Sequence, residues 1–455
     1  MLDPIFDAFV KASPISVMMR GTMETILRPQ RLDAIFATHA QVQYSRELLF
    51  SSVVEVLSLV VCGIHPSVSA AYKAKAEALN VSRAAVYQKL NGIETNVSAA
   101  LLRETADELR QLILQLGGQA PPLLPGYQTR IIDGNALAGT QHRLEVLRHV
   151  SGAPLPGKSL VVLDPQSRLA VDLFPCEDGH ASERRLFGQV LATVAAGQVW
   201  IADRNMCTLD FLGGIAQRQA AFVIREHQKL PWTPLSELQQ MSQMEAGEVW
   251  EQAIEIEVQG IRLPLRRIVL RLSQPTRHGD QEIVVLTNLP LKDASAEMVT
   301  QLYRERWQVE GLFLTVTTNF DAEIETLAYP KAALFSFSLA LVTYNILATL
   351  RAALASVYGV ERMEAELSDY YMVDEIQGTY RGMMIAIPPT SWQSFSELSL
   401  SELAVLLQQL ATQVNLKRFL KQPRKSKSKT PPRAKDPKHP HVSTAKLLSG
   451  KQITP

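Results

Sequence analysis

The feature that most constrains this chain is one break at which the spacing of its apolar residues changes. Gly117-Gly118-Gln119-Ala120-Pro121-Pro122-Leu123-Leu124-Pro125-Gly126 cannot extend a helix or a central strand, because proline lacks the donor N–H and glycine leaves the backbone loose. Before the break the pattern is helical, with long aliphatic runs in Glu47–Gly63 and an Ala/Lys-rich stretch in Ser67–Ala78. After it come short apolar runs of strand length. Thr129–Asp133 stops at Asp-Gly-Asn, and Ser159–Leu163 and Leu169–Phe174 flank the hairpin signature Asp164-Pro165-Gln166-Ser167-Arg168. Ser182–Ala196 fits an amphipathic helix, Gln198–Ala202 a strand ending at Asp203-Arg204, Leu209–Arg218 a helix and Ala220–Ile224 a strand. The order β-β-β-α-β-α-β describes an α/β fold: a mixed sheet with helices on its faces.

Residues 228–292 interrupt that order with a β-rich insertion: Ala253–Val258 and Ile261–Leu272 joined by Gln259-Gly260, then Glu282–Asn288. A long helix is expected over Ala294–Thr318, a largely helical stretch over Leu327–Tyr358 and an amphipathic helix over Leu398–Phe419; Tyr370–Pro389 has no clear period. The organisation expected is a helical head over 1–120, a core over 127–227 that resumes at 293–325, the insertion between its two parts, a helical region over 326–420 and a tail over 421–455.

Charge separates these parts. The whole chain has 46 Lys+Arg and 45 Asp+Glu, a net of +1. Residues 1–130 hold 12 basic and 11 acidic side chains, residues 131–416 hold 22 and 33, and residues 417–455 hold 12 and one. A neutral head, an acidic middle and a basic arm are hidden in the average. The arm, with Pro and Ser between its Lys and Arg residues, is expected to be disordered in isolation and can hold DNA nearby. Cys62, Cys176 and Cys207 form no CxxC pair and no zinc spacing, which points to a reducing compartment. The N-terminus has no basic segment followed by an apolar core, so no signal peptide is expected. Ala332–Leu350 is uncharged for 19 residues, near the roughly 20 that a bilayer span needs, and Leu48–Ile64 is also apolar. Glu55 in one, and Ser336, Ser338, Thr343, Tyr344, Asn345 and Thr349 in the other, favour buried core helices over spans, so no membrane partner is expected.

In the head, Ser82 is a good N-cap after a tight turn at Leu79–Val81. Val81, Ala85 and Leu90 can pack inward while Arg83, Tyr87, Gln88 and Lys89 point outward. Residues 79–90 therefore outline a helix-turn-helix reading head, with Arg83 and Lys89 as DNA contacts. A plain helical hairpin with a solvated face remains the alternative.

Three carboxylates stand apart by position. Asp133 and Asp203 each sit where a buried strand run stops, which is where such sheets present functional groups. Glu310 lies in Leu302-Tyr303-Arg304-Glu305-Arg306-Trp307-Gln308-Val309-Glu310, where Tyr303, Arg306 and Glu310 are spaced to share one helix face. That face suits a phosphate beside a metal: Arg306 for phosphate oxygens, Tyr303 for the DNA backbone and Glu310 for a hard cation. Three carboxylates can hold two Mg²⁺ ions about 3.5–4 Å apart for in-line phosphoryl displacement. The absence of Cys/His clusters agrees with oxygen-only ligation. Each acid also has a plainer reading: Asp133-Gly134 as a turn, Asp203 as a helix cap, Glu310 as an exposed pair with Arg306. Asp164 reads as a turn former, and Asp172, Glu177, Asp178 and His180 as a weaker metal cluster.

With these residues in place, the chain resembles a DDE transposase of a bacterial insertion sequence, in the group with the Tyr-x2-Arg-x3-Glu-x6-Lys signature. Here that signature reads Tyr303, Arg306, Glu310 and then Thr317, which replaces the lysine. The supporting segments are Ile131-Ile132-Asp133-Gly134-Asn135 and Trp200-Ile201-Ala202-Asp203-Arg204-Asn205, and the likeness covers roughly residues 45–360. The resemblance implies an RNase-H-like core with a β-insertion, and catalytic, metal-binding Asp133, Asp203 and Glu310. It implies two Mg²⁺ ions, with Mn²⁺ as a substitute. Its partners would be the ends of its own element and target DNA, engaged as a homodimer or higher assembly. The protein would be cytoplasmic and nucleoid-associated when bound. Arg204 and Arg225, just past strand ends, are further DNA contacts by this likeness, and Trp232 or Trp250 in the insertion would stack on an extruded base. Arg262, Arg266, Arg267 and Arg271 would either track phosphates or pair with Glu251, Glu255 and Glu257 across the hairpin. Two other readings stay open: an RNase-H-like nuclease that cuts without joining, and an impaired relative that acts as a DNA-binding repressor, for which Thr317 is the mark.

Overall fold

The structure is a computed structural model that describes residues 3–43, 47–276, 279–422 and 441–450. Before the Gly/Pro break it is helical, as the periodicity requires, ending in the 22-residue helix Thr95–Leu116. That helix stops at Gly117, whose φ of 67° is the left-handed conformation glycine adopts without strain.

The strands in chain order are β1 Gln128–Ala136, β2 Pro154–Leu155, β3 Lys158–Asp164, β4 Leu169–Cys176, β5 Gln198–Ala202, β6 Ala221–Arg225, β7 Thr233–Pro234, β8 Gln239–Met244, β9 Gly247–Val258, β10 Ile261–Leu272, β11 Glu282–Thr287 and β12 Val442–Ser443. The core order is β4-β3-β1-β5-β6, antiparallel up to β1 and parallel from β1 to β6. This is the RNase-H-like mixed sheet that the sequence implies. Its strands are largely apolar because both faces are covered, and buried charges within them are paired, as Arg130 of β1 is with Asp164 and Asp172 of β4 with Arg103. Ile131, Val199, Ile201 and Val223 pack into one core with the long helices Thr95–Leu116 and Pro330–Tyr358. Ile132, Trp200, Ala202 and Phe222 pack into another with Phe187 and Phe211 of the short helices Phe187–Leu191 and Leu209–Gln217.

The insertion is β-rich and continues the core sheet: β11 pairs antiparallel with β6, and β10, β9, β8 and β7 extend it outward. Three expectations are corrected. The helix expected over Ala294–Thr318 is two helices, Ala296–Arg304 and Trp307–Asn319, because the backbone tightens to i→i+3 bonds at Glu305 and Arg306. The helix after β4 is shorter than Ser182–Ala196, a 3₁₀ turn Glu183–Leu186 running into Phe187–Leu191. Finally, part of the tail is ordered: β12 pairs with β2, Ser443 donates to Asp178 at 2.6 Å, and the short helix Thr444–Leu448 follows. The intervening basic residues 423–440 lie outside the described residues, as do 451–455.

The stretch Tyr370–Pro389, unclear by pattern, lies mostly in the helix Asp369–Ala386, capped by Ser368. Pro330–Tyr358 is long and apolar enough to cross a membrane, but 94% of its most apolar stretch is buried within the fold. Its Asn345 shows why it carries polar groups: the side-chain amide both accepts from the Ala170 N–H and donates to the Ala170 carbonyl, each at 2.8 Å, which satisfies β4 on its open edge. Replacing Asn345 with Leu is expected to remove both bonds and lower stability by about 2–4 kcal/mol. Urea unfolding, read as a lower midpoint at unchanged slope, checks this.

Candidate active site

Parallel pairing sets the first two acids side by side. β1 and β5 pair as far as Ile131 with Ile201, and Asp133 and Asp203 each lie two residues beyond. Asp133 is still within β1, opposite Val161, with its Oδ1 accepting the Gly134 N–H at 2.8 Å. Asp203 follows the end of β5 and caps the turn Arg204–Met206, its Oδ1 accepting the Asn205 N–H at 2.9 Å. The capping role and a place among the acids are therefore compatible.

Glu310 reaches this rim through Arg306. The guanidinium donates to Asp133 Oδ2 at 2.7 Å and to Glu310 Oε1 at 2.7 Å. The break between the two helices places it there: Arg306 sits at the joint, Tyr303 belongs to the helix before and Glu310 to the first turn of the helix after. The three residues do converge, but around a turn and not along one continuous face. Arg306 Nε is buried without a hydrogen-bond partner, although Asp133 and Glu310 occupy both terminal nitrogens.

Burial pushes the Asp133 carboxyl up to about 6, only partly opposed by Arg306 and the Gly134 N–H, while Asp203 and Glu310 add to the rise. Burial likewise raises the Tyr303 phenol, against the pull of Arg306. Burial disfavours the Arg306 cation, but Tyr303, Asp133 and Glu310 outweigh it and raise the guanidinium above its ordinary value. The centre thus has more negative charge than its one bridging cation balances.

The other expected contacts are placed differently. Arg225 pairs with Asp280 at 2.9 Å, and Arg204 lies 4.0 Å from the same carboxylate. Arg267 covers Trp232 at 5.2 Å, and Arg271 covers Trp250 at 4.3 Å, while the Trp250 indole donates to Glu248. Both rings are half-buried, each with an arginine over it. The four arginines of β10 meet acids: Arg262 with Glu255, Arg266 with Glu251, Arg267 with Glu226 and Arg271 with Glu282. In the head, the turn and the Ser82 cap form as expected, with Asn80 in the left-handed conformation. Arg83 is exposed, but Lys89 is half-buried over the Phe36 ring at 4.0 Å, so it does not point outward as expected. Val86 and Leu90, not Val81 and Ala85, are the buried anchors. Thr317 is exposed, with its hydroxyl bonded back to Phe313 O at 2.8 Å. Asp164 forms its turn through Gln166 N, Asp172 pairs with Arg103, and Asp178 bonds Ser443, so the weaker cluster does not assemble. The three cysteines are free thiols.

Two residues at the rim escaped the sequence reading. Trp307 is 63% exposed and lies beside Arg306, 5.5 Å from its guanidinium; its place next to Arg306 in the sequence was its only signal. Glu183 hydrogen-bonds to Asn205 and lies over Gly134, and nothing in its local pattern marks it. A cavity of about 810 Å³ between the N-terminal helices and the C-terminal region, lined by Arg20, Glu24, Tyr380 and Trp392 among others, does not include the acids.

Residues 126–346 match the family described as the transposase DDE domain. The chain carries a transposase DDE domain. The matched span runs from just before β1 into the helix Pro330–Tyr358 and contains Asp133, Asp203 and Glu310. None of the curated proteins matches the chain.

DDE transposases generally use divalent metal ions. The donor set here fits a hard cation: carboxylate oxygens only, with desolvated Asp133 short of positive charge. The approach of the acids does not yet form a cage, since no three His, Cys, Asp or Glu side chains gather as ligands among the described residues. Arg306 stands between two of them and supplies the positive charge.

The raised Asp133 value fixes a sign. The folded chain binds this proton more tightly than the unfolded one, so stability falls as pH rises from about 4 through about 6. In EDTA, wild-type stability relative to Asp133→Asn is expected to drop by about 2–3 kcal/mol between pH 4 and 7, measured by chemical denaturation at each pH.

Proposed function

We propose that the protein is a transposase that binds the ends of its own insertion element, cleaves DNA there and joins the freed 3′-hydroxyl to target DNA. Asp133, Asp203 and Glu310 are its catalytic acids. The observation that carries this reading is the placement of Asp133 and Asp203 at the same rim of adjacent parallel strands, with Glu310 linked to Asp133 through one guanidinium. The DDE-domain match over the same residues supports it.

The three acids would hold the divalent ions, two Mg²⁺ with Mn²⁺ as a substitute. When bound, such ions activate a water or 3′-hydroxyl and stabilise the leaving oxygen. The chain's own residues do the rest. Arg306 has two donors in the fork geometry that a phosphate accepts, and it is held at the acids while they lack another cation. The buried Tyr303 phenol stays protonated and can donate to the DNA backbone. Burial of both strand faces beneath the acids keeps the site rigid and its field little screened.

DNA contacts are assigned to Arg83 on the exposed side of the head, and to Arg204 and Arg225, which can turn from Asp280 to phosphate. The head, residues 1–120, is taken as the end-reading region. The core, 127–227 with 293–325, is taken as the catalytic domain, and the active species is a homodimer or higher assembly on DNA.

Alanine at any one of Asp133, Asp203 or Glu310 is expected to lower Mg²⁺-dependent cleavage of element-end DNA by at least about 10³-fold, leaving binding in a gel-shift assay near wild type. Full cleavage by any of the three variants would remove that residue from the catalytic set.

A further inference from the structure

The ordered end of the chain docks on the core at one place, and cations gather there. After β4 the chain turns at Asp178-Gly179-His180 and enters the 3₁₀ turn Glu183–Leu186. The first part of this segment rides on β2: a methyl group at Gly179 would stand 2.7 Å from the Leu155 side chain. β2 pairs with β12, so the end of the chain is laid on the same surface, and the helix Thr444–Leu448 packs against the turn Glu145–Leu147. Asp178 ties the pieces together. Its carboxylate accepts from the His180 N–H at 3.0 Å and from the Ser443 hydroxyl at 2.6 Å, and Lys446 lies 3.5 Å from it. Ser443 and Thr444 are fully buried, while His441 is exposed and Lys446 half-buried. The docked segment hides its small residues and keeps its basic ones at the surface.

This surface continues to the acids. Lys158 of β3 stands opposite Ala136, three residues past Asp133 in β1. Arg184 and Arg185 follow Glu183, whose side chain reaches Gly134 and Asn205. Arg148 follows the turn on which the docked helix packs. Elsewhere in the sheet Arg130, Arg225, Arg266 and Arg267 are each held by a carboxylate. Among the described residues Arg148, Lys158, Arg184 and Arg185 form no ion pair; the arginines are exposed and Lys158 is half-buried. Of the acids in these stretches, Asp178 is spent on the three groups above and Glu183 on Asn205, and Glu145 and Glu177 meet no cation. Burial holds the His180 imidazole below its usual value, and Lys446, Lys158 and His441 add to the push while Asp178 opposes it. Gathering like charges costs free energy in the free protein, and a bound polyanion recovers it.

We propose that the docked end of the chain completes a second surface for duplex DNA, on which Arg148, Lys158, Arg184, Arg185 and Lys446 contact backbone phosphates and lead the duplex to the acids. This rests on the reading of the protein as one that acts on DNA, and it adds a surface separate from Arg83, Arg204 and Arg225. Contacts of this kind read no base sequence; they set register and orientation.

The test follows binding of the full-length chain to a ~30-base-pair duplex of arbitrary sequence by fluorescence anisotropy, from about 50 to 200 mM salt. Replacing Lys158, Arg184 and Arg185 together with Gln is expected to reduce the steepness of log K against log salt by about 2–3, with an unchanged melting temperature. Gln at Lys11, Arg362 and Lys417 removes three cations from other faces and is expected to leave the slope near wild type. Two variants address the chain end. Lys446→Gln keeps it docked, and Ser443→Asp sets a like charge against Asp178 and releases it; each is expected to reduce the steepness by about 1. If the core triple changes the slope no more than the control triple, the surface does not exist, while Mg²⁺-dependent cleavage by the wild type would still support the catalytic reading. If the core triple acts but neither Lys446→Gln nor Ser443→Asp does, the docked end plays no part and the proposal is overturned. A wild-type chain that binds no duplex removes both readings.

Discussion

A strand buried on both faces carries a charge along its run only where a partner meets it, as Asp164 meets Arg130 of β1, because an unpaired charge there would face a dry core. β1 and β5 are such strands: successive residues enter opposite cores, with Ile131 and Ile201 on one side and Ile132 and Trp200 on the other. The first acids they can carry are therefore where the covering helices stop. Parallel pairing in register then does what no local interaction could, bringing residues 70 positions apart in sequence to one rim. The chemistry available at that rim follows from the packing beneath it.

Charge balance decides the rest of the arrangement. Asp133 is desolvated enough that its proton is held to about 6, and the centre contains Asp203 and Glu310 as well. One guanidinium shared between Asp133 and Glu310 offsets part of this. A continuous helix from residue 296 to 319 would fix Arg306 on a regular helical path; the tightened turn at Glu305 and Arg306 frees it to meet both carboxylates. The break and the ion pairs are thus one feature seen at two scales.

The sequence made the core sheet legible because both-face burial writes strands as short apolar runs, Ile131-Ile132 and Val199–Ala202 among them, that stop at Asp-Gly and Asp-Arg. Asp133, Asp203, Arg306 and Glu310 could be read for the same reason, each marked by the end of a run or by helical spacing. The pairing of β11 with β6 was not legible, since edge-to-edge continuation depends on which backbone is left open and not on side-chain pattern. Nor was the docking of Val442–Ser443 on β2, two residues within a basic tail whose composition argued for disorder. The inward turn of Lys89 was hidden because its partner, Phe36, lies 53 positions away. Glu183 was hidden in the same way: Gly134 lies in β1 and Asn205 in the turn after β5, both distant in sequence.

The insertion's place in the sheet bears on how DNA could approach. Because β11, β10 and β9 continue from β6, the insertion is fixed to the core by backbone pairing and not by a flexible linker. The arginines of β10 are held in ion pairs, so a phosphate reaching Arg266 or Arg267 must compete with Glu251 or Glu226 at 2.6–3.0 Å. Arg204 and Arg225 share the single Asp280 between them, one at 2.9 Å and the other at 4.0 Å, and so are the less committed pair. Arg262 on the insertion is at least as loosely held, 76% exposed and 3.7 Å from Glu255, so weakly held cations lie both at the rim where β5 ends and out on the insertion. A polyanion can therefore be met at either place while the inner arginines keep their acids.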